Sequence, residues 1–289
     1  MDFHHDLAEI ARKNLKELGI ATPANWDDYT TYLKWLQVKQ RRFNSSVHYQ
    51  VQYSKELHEK LDTFSEMERK SVLDIENRLR NAEPITDYMS KQIDSISMKK
   101  SDYLLKMWNI YHLHLEKKRK KKKYKNPNLL FFQPKGNTVY FIDIRHHPTG
   151  NEWFSKELLE IIYNNWPELL HYKPGLVPCI ADGVPIELTD EMVFDLMKAG
   201  ITPFVTFHEG SVYPTNFGVS NSGDGVNAEL VANIVWKNLF FYQMQLLAEQ
   251  KESGKNSKTE YKLIEKNGLF IAQGKRQKIE RVLFREPPI

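Results

Sequence analysis

The chain has 289 residues and a mass of 34.1 kDa, with 41% hydrophobic, 27% charged and 12% aromatic residues. That balance allows one large domain or two small ones with a sizeable core, and it excludes disordered, collagen-like and disulfide-scaffold classes. Lys and Arg total 41 against 37 Asp and Glu, a net charge of +4, yet Lys117 to Lys125 (KKRKKKKYK) holds eight basic residues in nine positions. The rest of the chain nets −4, so the basicity is local. No window of 18 uninterrupted apolar residues occurs, and the N-terminus (MDFHHDLAEIARKNLK) lacks a secretory core, so no membrane span or secretion is expected. Cys179 is the single cysteine, which excludes an intrachain disulfide and fits a reducing cytoplasm.

The first hundred residues read as mainly helical. His5 to Leu18 carries Leu7, Ile10, Ala11, Leu15 and Leu18 at helical spacing, with Gly19 as a stop. A second helix is expected from Trp26 to Arg42, a short strand over Val47 to Tyr53, and an amphipathic helix from Ser65 to Asn81 broken by Pro84. Thr86 to Ile96 and Ser101 to Trp108 read as two short helices. Three strands then follow at Ile110 to Leu115 (IYHLHL), Leu129 to Gln133 (LLFFQ) and Thr138 to Arg145 (TVYFIDIR), the last two joined by a turn at Pro134 to Asn137. Helices are expected over Glu152 to Asn165 and from Thr189 to Gly200, separated by a turn at Asp182-Gly183, with a strand over Thr202 to Phe207. Gly210 to Gly225 reads as a loop feeding an apolar helix, Ala228 to Glu249, whose apolar residues cover more than one face and predict a central place in the core. Lys251 to Lys258 is a polar linker, and Tyr261 to Arg285 a second β-meander turning at Asn267-Gly268. The expected fold is α+β, with a helical part over residues 1–107 and an α/β part over 108–289.

Histidines carry the candidate chemistry. His112 and His114 stand two apart on a predicted strand and share a face, while Tyr111, Leu113 and Leu115 form the other. The apolar face is expected to be buried and the histidine face to be open. The third strand ends in Asp143, Arg145, His146 and His147, so neighbouring strands would gather these groups at one sheet end, near the lysine run. Three readings compete. In the first, imidazoles do acid–base work on a phosphodiester while Arg145 and lysines stabilise phosphate charge. In the second, His112 and His114 chelate a metal with Asp143 or His147. In the third, these are edge-strand and turn residues with structural hydrogen bonds. A lone HxH lacks the downstream spacing of longer zinc motifs, so no metal or cofactor is assigned.

Arg119, Lys120, Lys121, Lys122, Lys123 and Lys125 are the expected polyanion contacts; the alternatives are a solvated loop and a localisation signal. The loop at Gly210 to Gly225 (GSVYPTNFGVSNSGDG) lacks a Walker lysine and the dinucleotide spacing, so a turn capping the next helix is expected. His208 and Glu209 read as a surface pair, and Cys179 as a small buried residue. No G-x-S-x-G or H-E-x-x-H occurs.

The stretch Ile110 to His147 resembles the core meander of RelE-type mRNA-cleaving toxins, with LLFF and GNTVYFIDIRHH as the paired central strands. The resemblance implies RNA cleavage by basic and histidine side chains without metal. The expectation is a cytoplasmic, RNA-binding, metal-independent endoribonuclease, a toxin or phage-defence effector, with His112 and His114 as proton carriers, Arg145 stabilising charge and His146 or His147 assisting. The rivals are a non-enzymatic nucleic-acid-binding or regulatory protein and a metal-dependent nuclease. RNA is the expected partner; an inhibitory protein partner or a homo-oligomer stays open.

Overall fold

The computed structural model describes residues 1–90, 93, 102–117, 126–148, 153–176, 187–207, 210–216, 218–220, 224–252, 259–274 and 279–287. The elements in order are α1 (Phe3–Glu17), α2 (Asp28–Arg41), β1 (Gln50–Tyr53), α3 (Lys55–Lys60), α4 (Glu66–Arg80), α5 (Tyr103–Trp108), β2 (Tyr111–His114), β3 (Asn128–Lys135) and β4 (Thr138–His146). They continue as α6 (Lys156–Asn165), β5 (His171–Pro174), α7 (Asp190–Lys198), β6 (Val205–Phe207), β7 (Gly210–Tyr213), α8 (Val226–Glu252), β8 (Tyr261–Lys266), β9 (Leu269–Gly274) and β10 (Glu280–Arg285). The architecture is α+β, and no helix among the described residues is long and apolar enough to cross a membrane. Of the helix expected over Thr86 to Ile96, the described part is a 3-10 turn at Thr86–Tyr88. The turn expected at Asp182-Gly183 lies outside the described residues.

Two compact units form. One comprises Met1–Gln40 and Asn227–Ile289, the other Arg41–Ile93 and Ser97–Val226. The change in sequence character near residue 107 falls inside the second unit.

In the first unit α1, α2 and α8 share a core with β8 and β9, built on Phe3, Leu7, Tyr32, Leu36, Val235 and Phe270. Asp2 caps α1 by accepting from the His5 backbone N–H at 3.1 Å, and Gly19 takes the left-handed conformation that ends it. Asn267 and Gly268 both have positive φ, +53° and +75°, the geometry that matches a two-residue hairpin to strand twist. The sheet order is β10-β9-β8. The apolar helix predicted to be central is not enclosed. α8 buries Ala228, Val231, Ala232, Val235, Leu239 and Leu246, whereas Leu230, Ile234, Phe240, Phe241 and Met244 face outward. Composition alone could not say which side the core would use.

The second unit holds a four-stranded sheet of order β1-β4-β3-β2. Its antiparallel β2–β3–β4 meander matches the sequence reading, and β1 joins it parallel to β4. Both faces are covered. Val51, Leu113, Leu130, Phe132, Val139 and Phe141 pack with Leu57 of α3 and with Val72, Ile75 and Leu79 of α4. Leu129, Phe131 and Ile142 pack in a second core with α5, α6 and α7. Full burial of each such Phe is worth roughly 1.5–3 kcal/mol. A bulge interrupts β4: Phe131 pairs Asp143 and Phe132 pairs Phe141, leaving Ile142 as the extra residue.

A three-stranded sheet of order β5-β7-β6 corrects the reading of Gly210 to Gly225, whose first four residues are a strand and not a loop. Gly210 is there for close approach. A Cβ on it would lie 2.4 Å from the Lys173 carbonyl oxygen and 2.7 Å from the Tyr172 hydroxyl.

Candidate functional site

Strand register places the predicted residues. His112, Phe131 and Asp143 form one cross-strand row, and His114, Leu129 and Arg145 the next. Both histidines and Arg145 thus share a sheet face, with β3 between them and about 10 Å across two strand spacings. That face is not open, contrary to the expectation from β2 alone. His114 is 5% exposed and the His112 side chain 12%. The reason lies on the neighbouring strand. Leu129 and Phe131 share the histidine face, and their burial brings α5 and α6 over it.

Three imidazoles converge under this cover. The ring centroids of His112 and His147 each lie 5.2 Å from Trp153, and those of His114 and His147 are 5.9 Å apart. The His147 backbone N–H donates to the Pro127 carbonyl at 2.5 Å, extending the β3–β4 pairing one step and holding the ring at the sheet end. Its Nδ1 lies 2.9 Å from the Pro148 carbonyl oxygen, so Nδ1 carries the hydrogen and donates it there. Nδ1 of His112 sits 3.4 Å from Oδ2 of Asp102 without making a hydrogen bond. Asp102 is itself positioned as the cap of α5, accepting from the Leu105 backbone N–H at 3.1 Å. Burial pushes the His112 pKa down and the charge of Asp102 opposes this, while His147 adds to the lowering; the net shift is downward from 6.5. His112 is therefore neutral near pH 7.

Arg145 and His146 are placed otherwise than expected. Arg145 Nε donates to Asp143 at 2.9 Å, Nη1 donates to Ser155 Oγ at 2.8 Å, and Nη2 lies 3.0 Å from Glu157. Asp143 is fully buried and also accepts from Lys60 Nζ at 3.0 and 3.1 Å and from the Ile144 backbone N–H at 2.9 Å. The guanidinium thus ties the start of α6 to β4. His146 follows the strand alternation onto the other side, is exposed, and holds Nδ1 3.2 Å from the His147 carbonyl oxygen. The metal reading of His112 and His114 with Asp143 is not supported: among the described residues, no group of three or more His, Cys, Asp or Glu side chains is arranged to hold a metal ion.

Arg119, Lys120, Lys121, Lys122, Lys123 and Lys125 lie outside the described residues, but both ends of their connection are in view. Glu116 accepts from the Asn126 backbone N–H at 3.2 Å, so the stem is closed two residues past β2 and two before β3. Beneath it Glu68 accepts from Asn128 Nδ2 at 2.6 Å, from Asn126 Nδ2 at 3.3 Å and from Ser65. Burial pushes the Glu68 carboxyl up, but the bonds from Ser65, Asn128 and Asn126 outweigh this and hold it below its usual range. The first basic residue, Lys117, lies 2.9 Å from Asp74 at a pocket of about 480 Å³ lined also by Lys70, Ser71 and Tyr88. The basic connection therefore leaves and returns at a hydrogen-bonded stem, at the same sheet end as His114 and His147.

Compared with family models, curated proteins and solved structures, the chain matches none.

Sequence reasoning missed Asp102, Trp153 and Glu68. The sequence pattern puts Trp153 in a helix, yet α6 opens only at Lys156. Its signal is an aromatic residue just after a strand ending in histidines. Asp102 is legible as a cap, but its closeness to His112 depends on the tight reversal at Asn109, which has φ +56°. In the described part of the remaining Gly-rich segment, Asn216 bonds the Met107 and Leu105 carbonyls at 3.1 and 2.9 Å, and a Cβ on Gly218 would meet Thr202 at 2.2 Å. Cys179, His208 and Glu209 lie outside the described residues.

Proposed function

We propose that the protein binds RNA through the basic connection and cleaves it without a metal, using His112 and His147 as the proton-transfer pair. The observation that carries this reading is the convergence of His112 and His147 on Trp153, with His114 beside His147, at the sheet end where the lysine run is anchored. Neutral His112 would accept the proton of a ribose 2′-hydroxyl, the 2′-oxygen would attack the adjacent phosphorus, and protonated His147 would give its proton to the departing 5′-oxygen. The products are a 2′,3′-cyclic phosphate and a free 5′-hydroxyl. Lysines would stabilise charge on the phosphorane, the role expected of Arg145, whose guanidinium is taken up by Asp143, Ser155 and Glu157. Asp102, near Nδ1 of His112, would stabilise the imidazolium as it forms.

The test incubates purified protein, with and without chelator and with and without ribosomes, with single- and double-stranded RNA and with DNA. Chelator-insensitive RNA cleavage leaving cyclic phosphate ends, lost in His112→Ala and in His147→Ala, is expected. Intact RNA under all conditions, or cleavage that chelator abolishes, overturns the reading. A second reading, RNA binding without catalysis, is favoured by the enclosure of His114 and His112. It predicts binding that survives both histidine substitutions and is lost when Lys120 to Lys123 are neutralised.

A further inference from the structure

α8 spans 27 residues and is apolar on both sides, so burying one side against the first unit's core leaves the other unpartnered. The outward side is ordered. Leu230, Ile234, Lys237, Phe241, Met244 and Ala248 follow one another at intervals of four, three, four, three and four, the spacing of a coiled-coil seam, and all six are exposed. Phe240 flanks the seam. Phe240 and Phe241 are 58% and 63% exposed, and Leu230, Ile234 and Met244 are 43%, 46% and 49%. At about 200 Å² for a large side chain, these five leave roughly 500 Å² of apolar surface on one helix, above what single scattered residues produce.

From this seam we infer that two copies of the chain associate through α8, with the two helices antiparallel. The spacing reads the same in both directions, so an antiparallel partner centred on Leu239 sets Leu230 against Ala248, Ile234 against Met244 and Lys237 against Phe241. Charge decides the orientation. A parallel seam would press Lys237 against its own copy, whereas the antiparallel one lays each ammonium over the partner's Phe241 ring, a favourable cation–π arrangement. The apolar area covered on the two copies, roughly 1,000 Å², reaches the lower bound of a specific interface before the flanking polar groups are counted. This inference is independent of RNA cleavage.

The experiment uses the full chain. Sedimentation over a range of concentrations is expected to give twice the 34.1 kDa chain mass for the native protein and the single mass for Phe241→Glu, with unchanged circular dichroism because the replaced side chain is exposed. Orientation is read by oxidation in a Cys179→Ser background. Ile234→Cys alone should not form a disulfide, since the two positions 234 lie about 15 Å apart along antiparallel helices. Ile234→Cys combined with Met244→Cys should cross-link fully into dimers. A native chain that sediments as a monomer at all concentrations, a dimer that Phe241→Glu leaves intact, or a disulfide from Ile234→Cys alone would each overturn the inference. So would a monomer that partitions onto phospholipid vesicles through Phe240 and Phe241.

Discussion

Replacing Arg145 by Gln separates a structural clamp from a catalytic cation. The substitution removes a charged bond to Asp143, a bond to Ser155 and an ion pair with Glu157. Glu157 is 65% exposed, so its share is under about 1 kcal/mol. The bond to fully buried Asp143 is worth about 1.5–3 kcal/mol and that to Ser155 about 1 kcal/mol. Asp143 keeps Lys60 and the Ile144 N–H, so the loss stays at the low end of the ~3–5 kcal/mol that stranding a buried charge costs. The expected sum is about 3 kcal/mol, read as a lower urea midpoint at unchanged slope and a Tm fall of roughly 6–12 °C. Lys60→Met should cost less by itself, because Lys60 is half exposed. The double variant should lose roughly 1–3 kcal/mol beyond the sum, since Asp143 then has no cation. At temperatures where Arg145→Gln stays folded, RNA binding and cleavage should persist. A variant with native stability and no cleavage would refute the clamp and return Arg145 to the catalytic set.

Three other outcomes follow from the same geometry. His112 resists protonation in the fold, so below pH 6.5 the unfolded chain takes up a proton that the folded one refuses, and stability falls with acid; His112→Gln should flatten the urea midpoint between about pH 7.5 and 5.5, and an unchanged slope would contradict the burial argument. Glu68→Ala strands the Asn126 and Asn128 amides beneath the basic stem, at a cost of about 1–3 kcal/mol, with faster hydrogen exchange at Leu115, Asn126 and Asn128 and partial rescue in Glu68→Gln. Neutralising Lys120 to Lys123 should reduce the slope of log affinity for single-stranded RNA against log salt by about 0.7 for each phosphate that is no longer neutralised, and an unaltered slope would show that the run does not touch the backbone.

Where a signal was local, it was legible in the residue order. The periodicity of Ser65 to Asn81 yields α4, the alternation in IYHLHL and TVYFIDIR yields paired strands, and Asn267-Gly268 makes the hairpin that its backbone freedom permits. The apolar run Ala228 to Glu249 predicted a long helix, which forms over Val226–Glu252, but the central place in the core expected for it did not hold. What chain order could not specify was which surfaces would be covered. Periodicity assigns a residue to a face, but burial of that face depends on elements arriving from elsewhere. The histidine face of β2 was enclosed because Leu129 and Phe131 on the adjacent strand drew α5 and α6 onto it, and α8 kept half its apolar surface exposed because only one side met a core. The β4 bulge, the Lys60–Asp143–Arg145 clamp and the meeting of His112 and His147 at Trp153 likewise depend on register and packing between distant segments, and these exist only once the chain has folded.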